Sequence, residues 1–282
     1  MQALWMLAAT FMFALMGTAV KLASEMNASL AQIVVMRGVP SVIMLLIWAR
    51  MAGVSLQPVS WKGHIWRNVA GVTSMWMGFT AISMLPLATA ITLNYTTPLF
   101  IAGWMIGWGG ARGDRVRLIA VILGFIGVLA VLRPTLGENQ WLPALAGLCA
   151  GASGAAAQLQ VRSLSHLGEP AWRIVLYFSV TVCVTGAVAL GITEWSQPTW
   201  GGWAALIGLG TAGLLGQLAM TRAFGHGAPL LSAALQYTII IFASVLGYLL
   251  WDDTPDRIAI LGMALIVVAG LLSVWRTLRR PG

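Results

Sequence analysis

Polar residues along this chain fall in narrow bands, and long apolar stretches run between them. A helix needs about 20 mostly apolar residues to cross the hydrocarbon core of a bilayer. Ten stretches approach that length: residues 3–22, 31–49, 66–84, 88–108, 116–133, 141–163, 171–190, 201–221, 228–250 and 257–275. The pattern predicts an all-α polytopic membrane protein with ten transmembrane helices. The intervening bands are short, so no extramembrane domain is expected. The run from Ala3 to Leu22 is long enough to span and lacks a small-residue cleavage site. It reads as a first span rather than a removed signal.

A slower repeat underlies the spans. The stretch Asn94-Tyr95-Thr96-Thr97-Pro98 is matched 142 positions on by Gln236-Tyr237-Thr238-Ile239-Ile240. At the same offset Ala70-Gly71 meets Ala212-Gly213, Leu93 meets Leu235 and Phe100 meets Phe242. At an offset of 137, Ala9, Gly17, Ala19 and Leu22 meet Ala146, Gly154, Ala156 and Leu159. The joint falls near Gly137–Asn139, giving halves 1–137 and 138–282 of five spans each. Five is odd, so the second half is expected to lie inverted relative to the first. Such repeats are typical of secondary transporters, with a substrate site near the midplane. Two polar, aromatic patches facing each other would line a pathway; two packing helices with tolerated polar residues are the alternative.

Composition narrows the class. The 282 residues are 59% hydrophobic and only 9% charged, against roughly 25% charged in soluble domains. The net charge of +8 sits in short loops, with no basic stripe of the kind that takes nucleic acid. With both termini cytoplasmic, the inner side carries 12 basic residues and the outer side 3, namely Lys21, Arg133 and Arg257. Six of the eight acids fall outside. That asymmetry follows the positive-inside rule. Most tryptophans lie at span ends, where indole favours the headgroup level.

Candidate chemistry is sparse. Cys149 and Cys183 fall in apolar runs and read as buried thiols, neither a disulfide nor a metal pair. No phosphate loop, zinc motif or dinucleotide fingerprint occurs, so no cofactor, metal or catalytic residue is expected. Gly151-Ala152-Ser153-Gly154-Ala155 resembles the serine motif of rhomboid proteases, yet His64, His166 and His226 lie at predicted span ends, out of reach of Ser153. Intramembrane cations are expensive and point to function. Lys21 and Arg37 are the two read inside spans. Lys21 can snorkel to the outer surface. Arg37 lies deeper and precedes Pro40, which frees the carbonyl of Met36; it either fixes that kink or attracts a substrate carboxylate. Trp76 sits mid-span with Thr73 and Thr80 on its helix face, as a cavity wall or as core packing.

Ten spans, the repeat, Met36-Arg37 and Tyr95-Thr96-Thr97-Pro98-Leu99-Phe100 together resemble the drug/metabolite transporter superfamily, of the EamA type, and most of all its YddG-type aromatic amino acid exporters. The resemblance implies a multi-pass protein of the bacterial inner membrane that exports amino acids, aromatic and other large neutral ones, through a central cavity by alternating access. A proton-coupled multidrug or metabolite exporter is the alternative. On this reading Trp76, Tyr95 and Tyr237 offer stacking surface to the substrate. Thr80, Asn94, Gln158, Gln217 and Gln236 meet its amino and carboxyl groups. Lys21, Arg37, Pro40 and Pro98 serve gating or structure. The partners are a small-molecule substrate and the lipid bilayer. Small multidrug relatives carry a glutamate in their first helix; this first span has no acid. Phosphate and nucleotide-sugar relatives carry basic residues in the ninth span; Leu230 to Leu250 has none.

Proton coupling usually needs a group in the pathway that changes charge near working pH. No Asp or Glu lies mid-span, and arginine does not readily release its proton. Transport is therefore expected to be facilitated, driven by the substrate's own gradient. In proteoliposomes a labelled substrate should equilibrate to equal concentrations whether or not a pH or sodium gradient is imposed. Uphill accumulation driven by either gradient would overturn this.

Overall fold

The computed structural model describes residues 1–85, 91, 93–107, 115–132, 140–191, 196–252, 254 and 256–279. The joint near Gly137–Asn139, the Trp108-Gly109-Gly110 end of the fourth span, and Arg112, Arg133, Glu138, Glu194, Asp253 and Arg280 lie outside them.

Every described element is a helix: α1 Gln2–Glu25, α2 Leu30–Met51, α3 Trp61–Met84, α4 Thr97–Gly107, α5 Arg115–Leu132, α6 Trp141–His166, α7 Ala171–Leu190, α8 Trp200–His226, α9 Pro229–Gln236, α10 Thr238–Trp251 and α11 Arg257–Arg279. Among the described residues, eight stretches are long and apolar enough to cross a membrane: α1, α2, α5 to α8, α9 with α10, and α11. The chain is a multi-pass membrane protein. Three spans differ most from the sequence pattern, and of these the fourth, read over 88–108, resumes as α4 at Thr97 after a turn at Tyr95 and Thr96. The third begins five residues earlier, at Trp61, because the Ser60 hydroxyl accepts from Gly63 N at 3.2 Å and caps the helix there. Its first turns then hold Lys62, His64, Arg67 and Asn68. The ninth span is two helices, α9 and α10, that meet at Tyr237.

Lipid is as apolar as leucine, so helices in a bilayer are held by close packing and internal polar contacts rather than by hydrophobic exclusion. The most extensive pairings are α1 with α8, α3 with α6, α5 with α11 and α2 with α7. Small residues permit them. A side chain at Gly210 of α8 would run into the Pro40 ring and lie 2.5 Å from the Met36 carbonyl that Pro40 leaves free. Pro40 and Gly210 thus form one fitted contact between α2 and α8. Cys183 is half-buried, but Cys149 is exposed, which corrects the expectation of two buried thiols. Apolar surroundings in sequence do not say which face of a spanning helix meets lipid.

Polar clasps tie the two ends of the bundle. At one end Gln2 donates to Ala228 O and to Ser232 Oγ, each at 2.9 Å, and accepts from Ala228 N at 3.0 Å. At the same end lies Glu169, 3% exposed. Its carboxylate accepts from Val59 N at 2.6 Å and from Arg173 Nη1 at 2.8 Å, and it stands 3.3 Å from His64 Nε2. Arg173 also donates to Ser55 O at 2.7 Å, and Tyr177 to Leu56 O at 2.9 Å. The α2–α3 loop is thereby fastened to the start of α7. The tight α6–α7 turn uses Gly168 at φ +85°, a conformation that favours glycine. At the other end the Ser29–Gln32 capping box starts α2, and Ser196 joins it, accepting from Ser29 N at 3.0 Å and from Gln32 Nε2 at 2.8 Å.

Removing one partner of a buried ion pair leaves the other charge uncompensated and costs roughly 3–5 kcal/mol. Glu169→Ala should therefore lower the stability of the purified protein by about 3 kcal/mol, seen as a lower thermal midpoint in detergent. Tyr177→Phe, which removes only one exposed hydrogen bond, should cost under about 1 kcal/mol. Equal midpoints for the two variants would remove Glu169 from its role as the latch.

Candidate functional site

Two spans break where the sequence repeat is most polar. Pro98 has no N–H, so the carbonyl four residues back, on Asn94, loses its helical partner. A bare carbonyl in a bilayer is costly, and interrupted helices survive where other groups satisfy it. Thr97 Oγ1 donates to Asn94 O at 2.9 Å and to Gly151 O of α6 at 3.0 Å. Thr96 Oγ1 donates to Leu93 O at 2.6 Å. In the ninth span Thr238 Oγ1 donates to Leu235 O at 2.7 Å and meets Thr10 Oγ1 of α1 at 2.9 Å. The Thr96 and Thr238 bonds are equivalent, 142 residues apart. The fourth span also leans on α6, and the ninth on α1.

Beside the fourth-span break lies a cavity of about 190 Å³. Met16 and Val20 of α1, Ile33 and Arg37 of α2, Ser74, Met75 and Gly78 of α3, Asn94, Ala150 of α6 and Leu209 of α8 line it. Gly78 keeps the wall open beside Asn94: a Cβ there would stand 3.2 Å from both amide atoms of that side chain. A second, narrow chamber of about 10 Å³ lies between α2, α7 and α8, with Arg37, Ser41, Phe178, Ser179 and Gln217 among its walls. Arg37 belongs to both.

Arg37 is not the sole cation in this region. Arg67, read as a cytoplasmic loop charge, is 2% exposed, and its guanidinium stacks on the Phe178 ring at 3.7 Å. Arg37 lies 5.7 Å from the same ring. Among the described residues neither arginine has a carboxylate partner, and Nε and Nη1 of Arg67 are buried without hydrogen bonds. A buried and a half-buried cation sharing one aromatic ring give this part of the protein a positive potential. The ring faces offset part of that cost.

The expected site residues divide. Asn94 and Arg37 line the large cavity, and Gln217 with Arg37 lines the small one. Trp76 packs with Val34, Met75, Phe178 and Val182, while its neighbours Ser74, Met75 and Gly78 form the wall. Thr80 is exposed and turns its hydroxyl back to Trp76 O at 3.0 Å. Tyr95 packs on the main core cluster, and Tyr237, 0% exposed, lies inside it, its ring against Gly124. Gln158 is buried with Nε2 3.9 Å from Met220 Sδ, and its Oε1, like Gln236 Oε1, has no partner. Lys21 is exposed, 3.8 Å from the Trp251 ring. Pro40 meets Gly210, and Pro98 is buried. Missed in the sequence were Arg67, Met16, Ser74, Gly78, Ser41 and Ser179. Arg67-Asn68 carried one signal, two polar residues next to the repeat pair Ala70-Gly71; the small and apolar lining residues carried none.

Comparison with known proteins gives the architecture its relatives. The model of the EamA-like transporter family matches residues 1–133 and again 140–275. The pseudopaline exporter CntI of Pseudomonas aeruginosa is 31% identical over 262 residues, 93% of this chain and 91% of that protein. A riboflavin transporter of Vibrio cholerae is 24% identical, over 98% and 93% of the two chains. An S-adenosylmethionine uptake transporter of Rickettsia bellii is 22% identical, over 75% and 72%. A protein of known crystal structure shares the fold with a TM-score of 0.86 over 99% of both chains, at 17% identity.

The cavity wall can be tested at Gly78. Gly78→Leu places a branched side chain in the space beside Asn94. It should reduce solute flux about tenfold, equivalent to roughly 1.4 kcal/mol, at an unchanged melting midpoint. Full flux in a folded Gly78→Leu protein would show that the pathway runs elsewhere.

Proposed function

The chain belongs to the EamA-like transporter family, and we propose that it exports a small amino-acid-like metabolite across the bacterial inner membrane. The substrate occupies the cavity of about 190 Å³, and the halves 1–137 and 138–282 rock about it, opening alternately to either side. The observation that carries this reading is the lining itself. α1, α2, α3 and the Asn94 segment come from one half, and α6 and α8 from the other. A relative motion of the halves would open and close it, with the broken fourth and ninth spans as points of bending. The clasps at Gln2 and at Ser29–Gln32–Ser196 lie at opposite ends, where each would part in one of the two states.

The aromatic part of the amino-acid expectation is not retained. Trp76 and Tyr237 are engaged in packed clusters and Tyr95 abuts one, so among the described residues no aromatic side chain lines the large cavity. Met16, Val20, Ile33, Met75 and Leu209 face it beside Arg37, Ser74 and Asn94, a surface suited to a metabolite with an apolar part and a few polar groups. The relatives' names cover chemically diverse metabolites, which fits a scaffold whose lining sets the cargo.

The test is efflux from proteoliposomes loaded in turn with labelled leucine, histidine, tryptophan and pseudopaline. At least one should leave with saturable kinetics, at least tenfold faster than from protein-free liposomes, and tryptophan should enjoy no advantage over leucine. Protein-dependent flux of none of the four would overturn the proposal.

A further inference from the structure

The narrow chamber beside the main cavity has an unusual wall. Arg37 contributes a guanidinium, Ser41 and Ser179 hydroxyls, and Gln217 an amide. Among the described residues none of these four side chains has a hydrogen-bond partner in the protein. Guanidinium offers only donors, and hydroxyl and amide groups can donate as well. Among the described residues no carboxylate lines the chamber. Behind it, Arg67 adds a second positive charge, 2% exposed and stacked on Phe178, which is itself a wall of the chamber. A cation would be repelled here, and a neutral ligand would leave the charge uncompensated. One oxygen of an anionic group fits this water-sized space and would satisfy both the charge and the donors, the rest of that group lying toward the large cavity that Arg37 also lines. A carboxylate accepts two parallel bonds from a guanidinium fork, the strongest pairing open to arginine.

Resting on the transport reading above, we infer that Arg37, with Ser41, Ser179 and Gln217, forms an anion subsite that holds the carboxylate of the transported metabolite. The rest of the substrate lies in the large cavity, which Arg37 also lines. The subsite sets the cargo class: metabolites with a free carboxylate are taken, and the corresponding amides and amines are refused. A small inorganic anion such as chloride carries the same chemistry, so the experiment separates the two sources.

The purified full chain in lipid nanodiscs is titrated with L-leucine and L-leucinamide, and with L-histidine and L-histidinamide, while the thermal midpoint is followed. A ligand that binds the folded state raises the midpoint with concentration. The acids should raise it at concentrations at least tenfold lower than their amides, and Arg37→Gln should abolish the difference. Arg37→Lys should recover part of it, because a lysine supplies the charge without the fork. If Arg37→Gln does not fold, Ser41→Ala and Gln217→Leu carry the test, each narrowing the acid-to-amide ratio at least threefold. Equal response to acid and amide, no response to either acid at millimolar concentration, or a ratio unchanged in the variants would overturn the subsite. A midpoint raised by choline chloride over matched sorbitol, lost in Arg37→Gln and with no acid preference, would assign the chamber to an inorganic ion and overturn the cargo assignment. Flux of the same probes in proteoliposomes keeps the two readings apart. Acid and amide crossing equally fast sinks the subsite and leaves transport standing, whereas acid-selective binding without flux of any probe sinks transport alone.

Discussion

A bilayer gives the backbone no water to bond with, and the rest of this structure depends on how that constraint is met at two places. A continuous helix satisfies itself; a broken one has to find substitutes. Here the substitutes are threonine hydroxyls. Thr96 and Thr97 close the carbonyls of Leu93 and Asn94, and Thr238 closes that of Leu235. With those bonds made, the chain can depart from helical geometry in mid-membrane and turn Asn94 toward the cavity. Thr97 and Thr238 also reach a neighbouring helix, so the same hydroxyls fasten the breaks to the scaffold around them.

The helix partners follow an exchange pattern. α1 packs on α8 as α6 packs on α3, and the broken spans dock on α6 and α1. Swapping the first five spans for the last five turns each of these contacts into the other. Polar contacts seal the assembly at both ends. Sealing at one end is Gln2 with Ala228 and Ser232; at the other it is Ser196 with Ser29 and Gln32.

The spans were legible because a hydrocarbon slab imposes a length on every helix that crosses it, and nearly every described boundary falls within a few residues of the apolar run that signalled it. Three boundaries depart further: α3 starts early because Ser60 caps it ahead of its apolar part, α4 starts only at Thr97 after the break, and α8 runs on to His226. The break at Tyr237 was half legible: the polar patch marked the place, but without a proline nothing in the pattern required an interruption. The site was less so. Apolar periodicity cannot tell whether Trp76 faces a cavity or a neighbour, and here Phe178 and Val182 of α7 claim it. Arg67 looked like an end-of-span charge because its burial comes from α7, more than 100 residues away in sequence. Conversely, Arg37 was recognisable from sequence alone, because an arginine set deep in an apolar run and followed by proline has few neutral explanations.

The pairing of α1 with α8 has a consequence for how the molecule is made. Translation delivers the partner of the first helix about 200 residues after the helix itself, which at about 5–20 residues per second is a wait of roughly 10–40 s. During that interval Gln2, Thr10 and the small residues of α1 stand in lipid or against the insertion machinery without the surfaces they are shaped for. A nascent chain of this kind completes its packing late, as α8 to α11 enter. Slow codons or lesions downstream of α7 would therefore endanger the first helix as much as the last.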